Sequence, residues 1–347
     1  MKGKPNINRL ESLRKELQFK DPGIFEKAVY AFNLLNELLR VYPELIFKGG
    51  TSLLMHVFPP FRLSIDIDIL LPVKERERLK DILSDVVSTS EWFEFLEEDV
   101  RVGKKIPKVH YKFKFTSQFT RVPQYVLLDV VFAESPYKNI VKKNFTKHPM
   151  IFSDTNAIVQ IPTSEGLFGD KMTAISPKTT GIPLNKERSM EFLKQIIDLG
   201  ELFKIANDID DIRQTFANTA QQENGFRGTV YSADDVVNDI VDVAFKYSQS
   251  MLKGSDNTFP EIALINEGLN RIGNHLRQKV DQRDIKLAFA KIVYVCRIIR
   301  ANKGLEIIKI VDNKTIEGKT LEGRYKILER LKKINPDAYF YWVLGIG

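Results

Sequence analysis

Apolar positions recur at helical spacing from Pro22 to Val41, where Asp21 stands as an N-cap, Pro22 suits the first helical position and Tyr42-Pro43 closes the run. The period then shortens. Leu45 to Phe47 reads as a brief strand, residues 51–57 as a short helix opened by Thr51 or Ser52 and stopped at Pro59-Pro60, and residues 65–71 as a second strand. Lys74 to Val87 returns to helical spacing. Val109 to Phe115 alternates aromatic and basic residues, Val126 to Phe132 is almost wholly apolar, and Asn156 to Ile161 predicts a last short strand. From Ser164 onwards the pattern is helical, over about 164–175, 187–205, 232–253, 259–276, 282–301 and 319–333. The breaker-rich segment Ser176 to Pro183 and the polar segment Gln221 to Gly225 read as loops. No repeat of 20–50 residues is present. The pattern predicts an α+β chain: an α/β module over residues 1–162 and a mainly helical module over residues 163–347.

Two departures from the apolar pattern carry chemistry. In Ser64-Ile65-Asp66-Ile67-Asp68-Ile69, Asp66 and Asp68 are two residues apart in a strand, so both side chains project to one face while the isoleucines enter a core. Two carboxylates held that close repel unless a cation, a proton or a basic partner separates them, and Mg²⁺ suits such a pair. Ahead of them, Lys48-Gly49-Gly50-Thr51-Ser52 joins a strand to a helix start, where free backbone N–H groups favour an anion such as a triphosphate. Taken singly, the glycines read as a plain turn and the acids as an exposed edge strand. Together they read as one motif for phosphate and one for the metal that phosphate shares.

Further residues could complete such a site. Asp129 interrupts the apolar run Leu127-Leu128-Asp129-Val130-Val131, a costly position unless it binds something; it is either a third metal-site carboxylate or a partner of Lys112 or Lys114. Lys171 lies mid-helix among apolar neighbours, where it either snorkels to solvent or neutralises a phosphate. Asp198 stands four residues after Lys194, so an ordinary pair on one helix face is its simplest role.

Composition narrows the classes. A length of 347 residues with 43% hydrophobic composition favours two domains. The net charge of +7 suggests a polyanionic partner, although a solvated basic face would account for it equally well. A single cysteine, Cys296 in an apolar helical run, excludes an intrachain disulfide and reads as a core thiol. Four scattered histidines (His56, His110, His148 and His275) argue against structural zinc. No apolar run is long enough to span a membrane and no secretory signal is expected, so a cytoplasmic protein is predicted.

The motifs Gly-Gly-Thr-Ser-Leu from Gly49, Phe-Arg-Leu-Ser-x-Asp-x-Asp from Phe61, Asp-Lys-Met-Thr-Ala from Asp170 and Lys-x-x-x-Asp-Leu from Lys194 resemble those of AbiEii-like nucleotidyltransferases, over about residues 45–205. These are toxins of type IV toxin–antitoxin and abortive-infection systems, within the polymerase-beta-like superfamily. The resemblance implies a polymerase-beta-like module with a mixed sheet and flanking helices, followed by the helical module. It implies Lys48, Gly49, Gly50, Thr51 and Ser64 around the nucleotide, Ser64 standing where some members carry a phosphorylated hydroxyl. Asp66, Asp68 and Asp129 would hold two Mg²⁺ ions, Lys171 would contact the triphosphate, and Asp198 would be the acid of the last motif. That motif reads Asp198-Leu199-Gly200 here, where many relatives have an aromatic residue and a second Asp. The implied reaction moves a nucleoside monophosphate from an NTP to RNA, above all the tRNA 3′ end, with a cognate antitoxin as partner and no membrane. Basic–aromatic segments such as His110 to Phe115 would stack and neutralise single-stranded RNA, or form an ordinary amphipathic strand. The alternatives are transfer to a protein or small-molecule hydroxyl, a non-catalytic nucleotide- or RNA-binding module, and a structural protein whose acids pair with lysines.

Overall fold

The computed structural model describes residues 6–100, 107–146, 148–152, 157–301 and 306–347. The chain divides into two compact units. The first comprises Met1–Ser135, Asn139–Thr163 and Asn274–Gln278, and the second Pro136–Lys138, Ser164–Gly273 and Lys279–Gly347.

The first unit contains helices α1 (Ile7–Glu16), α2 (Pro22–Val41), α3 (Gly49–Ser52) and α4 (Leu79–Thr89), and strands β1 (Ile46–Lys48), β2 (Asp66–Leu71), β3 (Phe95–Glu98), β4 (Lys108–Thr116), β5 (Pro123–Phe132), β6 (Ile140–Asn144) and β7 (Ile158–Pro162). All seven strands form one mixed sheet in the order β3-β4-β5-β2-β1-β7-β6. The pairs β2–β5 and β1–β7 are parallel; the other neighbours are antiparallel. Along β5, Val126, Leu128, Val130 and Phe132 are buried while Tyr125, Leu127, Asp129 and Val131 take the opposite face. The core face packs on α2, where Tyr30 stacks on Phe115 with centroids 3.7 Å apart and meets Trp92 edge-on at 5.1 Å. α2 begins and ends where the sequence predicts: Asp21 caps it by accepting from the Ile24 N–H at 2.9 Å.

The second unit is helical among its described residues: α5 (Ser164–Ala174), α6 (Ser189–Ile205), α7 (Ile209–Arg227), α8 (Ala233–Ser248), α9 (Pro260–Arg271), α10 (Gln282–Arg300), α11 (Leu331–Ile334) and α12 (Pro336–Ile346). α10 packs on α12, with Trp342 and Tyr341 wholly inside. Cys296 is buried in α10 and its thiol is pushed up to about 12 by that burial, as befits a core thiol.

The structure departs from the sequence expectations at several elements. The turn expected at Gln221 to Gly225 lies inside α7, which runs on to Gly228, a left-handed C-cap with φ 68°. Residues 323–330 form a 3₁₀ segment rather than a long helix. The helix after β1 starts at Gly49 and lasts one α-turn before tightening to 3₁₀ over Leu53–Met55. β3, β6, α1, α7 and α12 went unanticipated. Asn156, expected to open the last strand, lies outside the described residues.

Candidate active site

Register builds the centre of the first unit. Lys48 on β1 stands opposite Asp68 on β2, Asp68 stands beside Asp129 on β5, and Asp129 stands opposite His110 on β4. Residues in register share a face, so Lys48, Asp68, Asp129 and His110 form one row across four strands, with the two acids between the two bases. Asp66 lies two residues before Asp68 on the same face, while Ile67 and Ile69 are completely buried on the other.

The charges in this row are unevenly balanced. Asp129 Oδ1 lies 2.5 Å from His110 Nδ1, and Lys108 Nζ donates to Asp129 Oδ2 at 2.9 Å. Burial raises the Asp129 carboxyl, but the His110 hydrogen bond and the Lys108 charge outweigh it and hold that carboxyl below the usual range. Asp68 goes the other way. Burial first, and the neighbouring Asp129 carboxylate second, push it well above an ordinary aspartate. Asp68 is therefore an anion short of positive charge, and a hard divalent cation accepting oxygen ligands from Asp66 and Asp68 fits that shortfall. Among the described residues no three acids, histidines or cysteines are already gathered as a metal cluster. Asp129, a neighbour of Asp68, is turned to Lys108 and His110. Lys112 and Lys114, the partners that the sequence suggested for Asp129, bind Glu97 instead, and Lys112 also binds Asp99 at 3.1 Å.

The glycine turn fits against the acids. Gly49 has φ +74°, and a Cβ there would lie 2.2 Å from Asp68 Oδ2. Only glycine lets β1 turn into α3 this close to a carboxylate. A Cβ on Gly50 would meet Arg62 Nη2 at 2.7 Å and Ser64 Oγ at 2.9 Å, so both side chains line the second glycine. The hydroxyls after the glycines serve the backbone: Thr51 Oγ1 donates to the Asp66 carbonyl at 2.5 Å, and Ser52 Oγ to the Gly49 carbonyl at 2.9 Å. Thr51 is buried and ties the glycine turn to β2.

Arg62 and Lys108 were given no role in the sequence, and His110 only a place in the segment expected to meet RNA. Arg62 is only 5% exposed, and its place beside Gly50 depends on the loop that returns to β2. Lys108 and His110 look like ordinary members of an alternating strand until register sets them against Asp129. The aromatic residues of that strand do not face outward: Tyr111, Phe113 and Phe115 are buried in the core, so the expected stacking role of segment 110–115 is not available to them.

Lys171 and Asp198 belong to the second unit. Lys171 Nζ on α5 lies 2.8 Å from Asp198 Oδ2 on α6 and donates to Gln195 Oε1 at 2.9 Å; the two charged side chains are 4% and 1% exposed. Asp198 thus has a partner from another helix, beyond the Lys194 expected on its own.

A family described as "Nucleotidyl transferase AbiEii toxin, Type IV TA system" matches residues 35–295, three quarters of the chain. The chain belongs to the AbiEii family. It is thus a nucleotidyltransferase of a toxin–antitoxin family, an assignment that implies an NTP substrate and an antitoxin partner. No curated protein matches it. Among solved structures it is similar to JHP933 from Helicobacter pylori, with 13% identity, TM-score 0.46, and coverage of 79% of this chain and 92% of that one. It is also similar to an antigenic nucleotidyltransferase-like protein from Paracoccidioides brasiliensis, with 13% identity, TM-score 0.34, and coverage of 60% and 96%. The assignment stands on the family match, and no residue role is carried over from these two structures. Among the described residues of this AbiEii chain, no helix is long and apolar enough to cross a membrane.

Proposed function

We propose that this AbiEii chain is a Mg²⁺-dependent toxin that transfers a nucleoside monophosphate from an NTP to RNA, at the 3′ end of tRNA, in the cytoplasm. The observation that carries it is the Lys48–Asp68–Asp129–His110 row, with Asp66 beside it and the Gly49–Gly50 turn against it. Asp66 and Asp68 would hold the divalent cations, which when bound supply neutralisation of the triphosphate and of the charge that develops on it.

The rest is positioning by the chain's own groups. Gly49 and Gly50 let Asp68, Arg62 and Ser64 close against the turn, where Lys48, Arg62, Ser64 and the backbone N–H groups would meet the triphosphate. The acceptor oxygen bonds to the α-phosphorus, the bond to the pyrophosphate oxygen breaks, and the hydroxyl proton passes to a carboxylate of the row. Asp129, held by Lys108 and His110, keeps its charge beside Asp68. The roles of Lys171 and Asp198 rest on the likeness of their motifs to those of the family, as do modification of Ser64 and capture of the enzyme by the antitoxin.

The test incubates the protein and Mg²⁺ with each labelled NTP and either total tRNA or protein extract. Label is expected on tRNA; label found only on protein or on a small molecule would overturn the acceptor. The metal assignment has a separate readout. Asp68→Asn removes one of two repelling carboxylates, so at pH 8 the metal-free variant should melt above wild type and lose the Mg²⁺-induced rise in Tm. A Mg²⁺ shift that survives in Asp68→Asn would remove Asp68 from the metal site.

A further inference from the structure

The face that carries the acids also carries two exposed rings. Phe95 on β3 pairs in register with Lys114 on β4, and Lys114 with Tyr125 on β5, so the three form one row across three strands. Phe95 is 58% exposed and Tyr125 43%. Cations flank both rings: Lys114 Nζ is 5.5 Å from the Phe95 centroid, while Lys112 and Lys27 lie 5.6 and 5.2 Å from that of Tyr125. The next row toward the centre contains Lys112, Leu127 and Asp66. A step of two residues along a strand is about 7 Å and neighbouring strands are about 4.8 Å apart, so Tyr125, one strand from Asp66, lies roughly one nucleotide from it, and Phe95, three strands away, roughly one nucleotide further out.

We infer that the Phe95–Lys114–Tyr125 row, with Lys27 and Lys112, is a stacking platform for the unpaired 3′ end of the RNA acceptor, which it delivers to the Asp66–Asp68 pair. The inference rests on the RNA acceptor proposed above. Flat rings beside ammonium groups suit a nucleobase with its phosphate, whereas a paired duplex end hides its base faces. Lys112 and Lys114 are bound to Glu97 and Asp99, but these ion pairs are solvent-exposed or partly so, and such pairs are weak. A phosphodiester can take over those lysines cheaply. The incoming NTP is the other base that could occupy the row.

The experiment uses full-length protein and a fluorescent RNA hairpin with four unpaired 3′ nucleotides, with a blunt hairpin as control and calorimetric NTP binding in Mg²⁺ alongside. Tyr125→Ala and Phe95→Ala are each expected to raise Kd for the tailed hairpin about tenfold. They should leave blunt-hairpin and NTP binding unchanged, with Tyr125→Phe retaining most of the affinity. Tailed RNA bound equally well by both alanine variants would overturn the platform while leaving the proposed function intact. Weakened NTP binding with intact RNA binding would reassign the row to the nucleotide and overturn it too. Wild-type protein that binds neither hairpin would overturn the RNA acceptor, and the platform with it.

Discussion

A methyl group at residue 49 would have to share space with the Asp68 carboxylate, 2.2 Å away, in a backbone conformation that L residues avoid. Gly49→Ala is therefore expected to destabilise the first unit by about 1–3 kcal/mol and to lower transfer by at least tenfold, since the turn and the acid are displaced together. Urea unfolding and a labelled-NTP transfer assay measure the two effects. A variant of full stability and activity would show that the turn tolerates the clash. At this scale the sequence was informative wherever the physics is local. Asp66 and Asp68 share a face because they are two apart, and Gly49 announces a turn by itself. The partners of Asp129 could not be read, because Lys108 and His110 reach it only through the β4–β5 register. Arg62 likewise meets Gly50 only through the fold of the loop before β2.

At the scale of elements, α2 was legible from end to end because its cap, its proline and its apolar stripe all lie within its own residues. β3 was not. Phe95-Leu96-Glu97-Glu98 is a four-residue edge strand whose ring faces outward, so no alternation marks it. α7 was not anticipated either: its buried stripe (Ile212, Thr215, Phe216, Thr219, Ala220) is broken by polar residues, and its last two turns are polar enough to read as a loop. α2 also carries a pH-sensitive contact with α4. Glu37 accepts the Ser90 hydroxyl at 2.8 Å on both oxygens, and burial pushes its carboxyl up to about 7. A raised carboxyl favours the fold in its protonated form. Its contribution is full below the ordinary value of 4.5 and is lost as pH rises through about 7. Glu37→Gln keeps the neutral form at every pH. It should match wild type near pH 5 and exceed it at pH 8 by about 1–3 kcal/mol in urea unfolding. A difference independent of pH would show that Glu37 does not titrate between these states.

At the scale of the whole molecule, the sequence patterns pointed to a mixed α/β module and a helical module, and the family match agrees with the motifs that suggested AbiEii. What the patterns could not supply was the state of Lys171. Its apolar surroundings left solvent or phosphate as its destination, and its immediate partner proves to be Asp198 of another helix. A buried pair of this kind separates structure from function cleanly. Removing one partner strands the other charge away from water, so Lys171→Met and Asp198→Leu should each cost about 3–5 kcal/mol. The double variant replaces the pair with apolar groups of similar volume and should recover most of that stability. If Lys171 serves only to hold α5 to α6, nucleotide transfer should return along with the stability. On the proposed role of Lys171 at the triphosphate, stability should return and transfer stay lost, because that contact would need the ammonium group and not merely the packing. Unfolding and labelled-NTP transfer measured on the same three variants decide between the two, and recovered transfer in the double variant would confine Lys171 to the core.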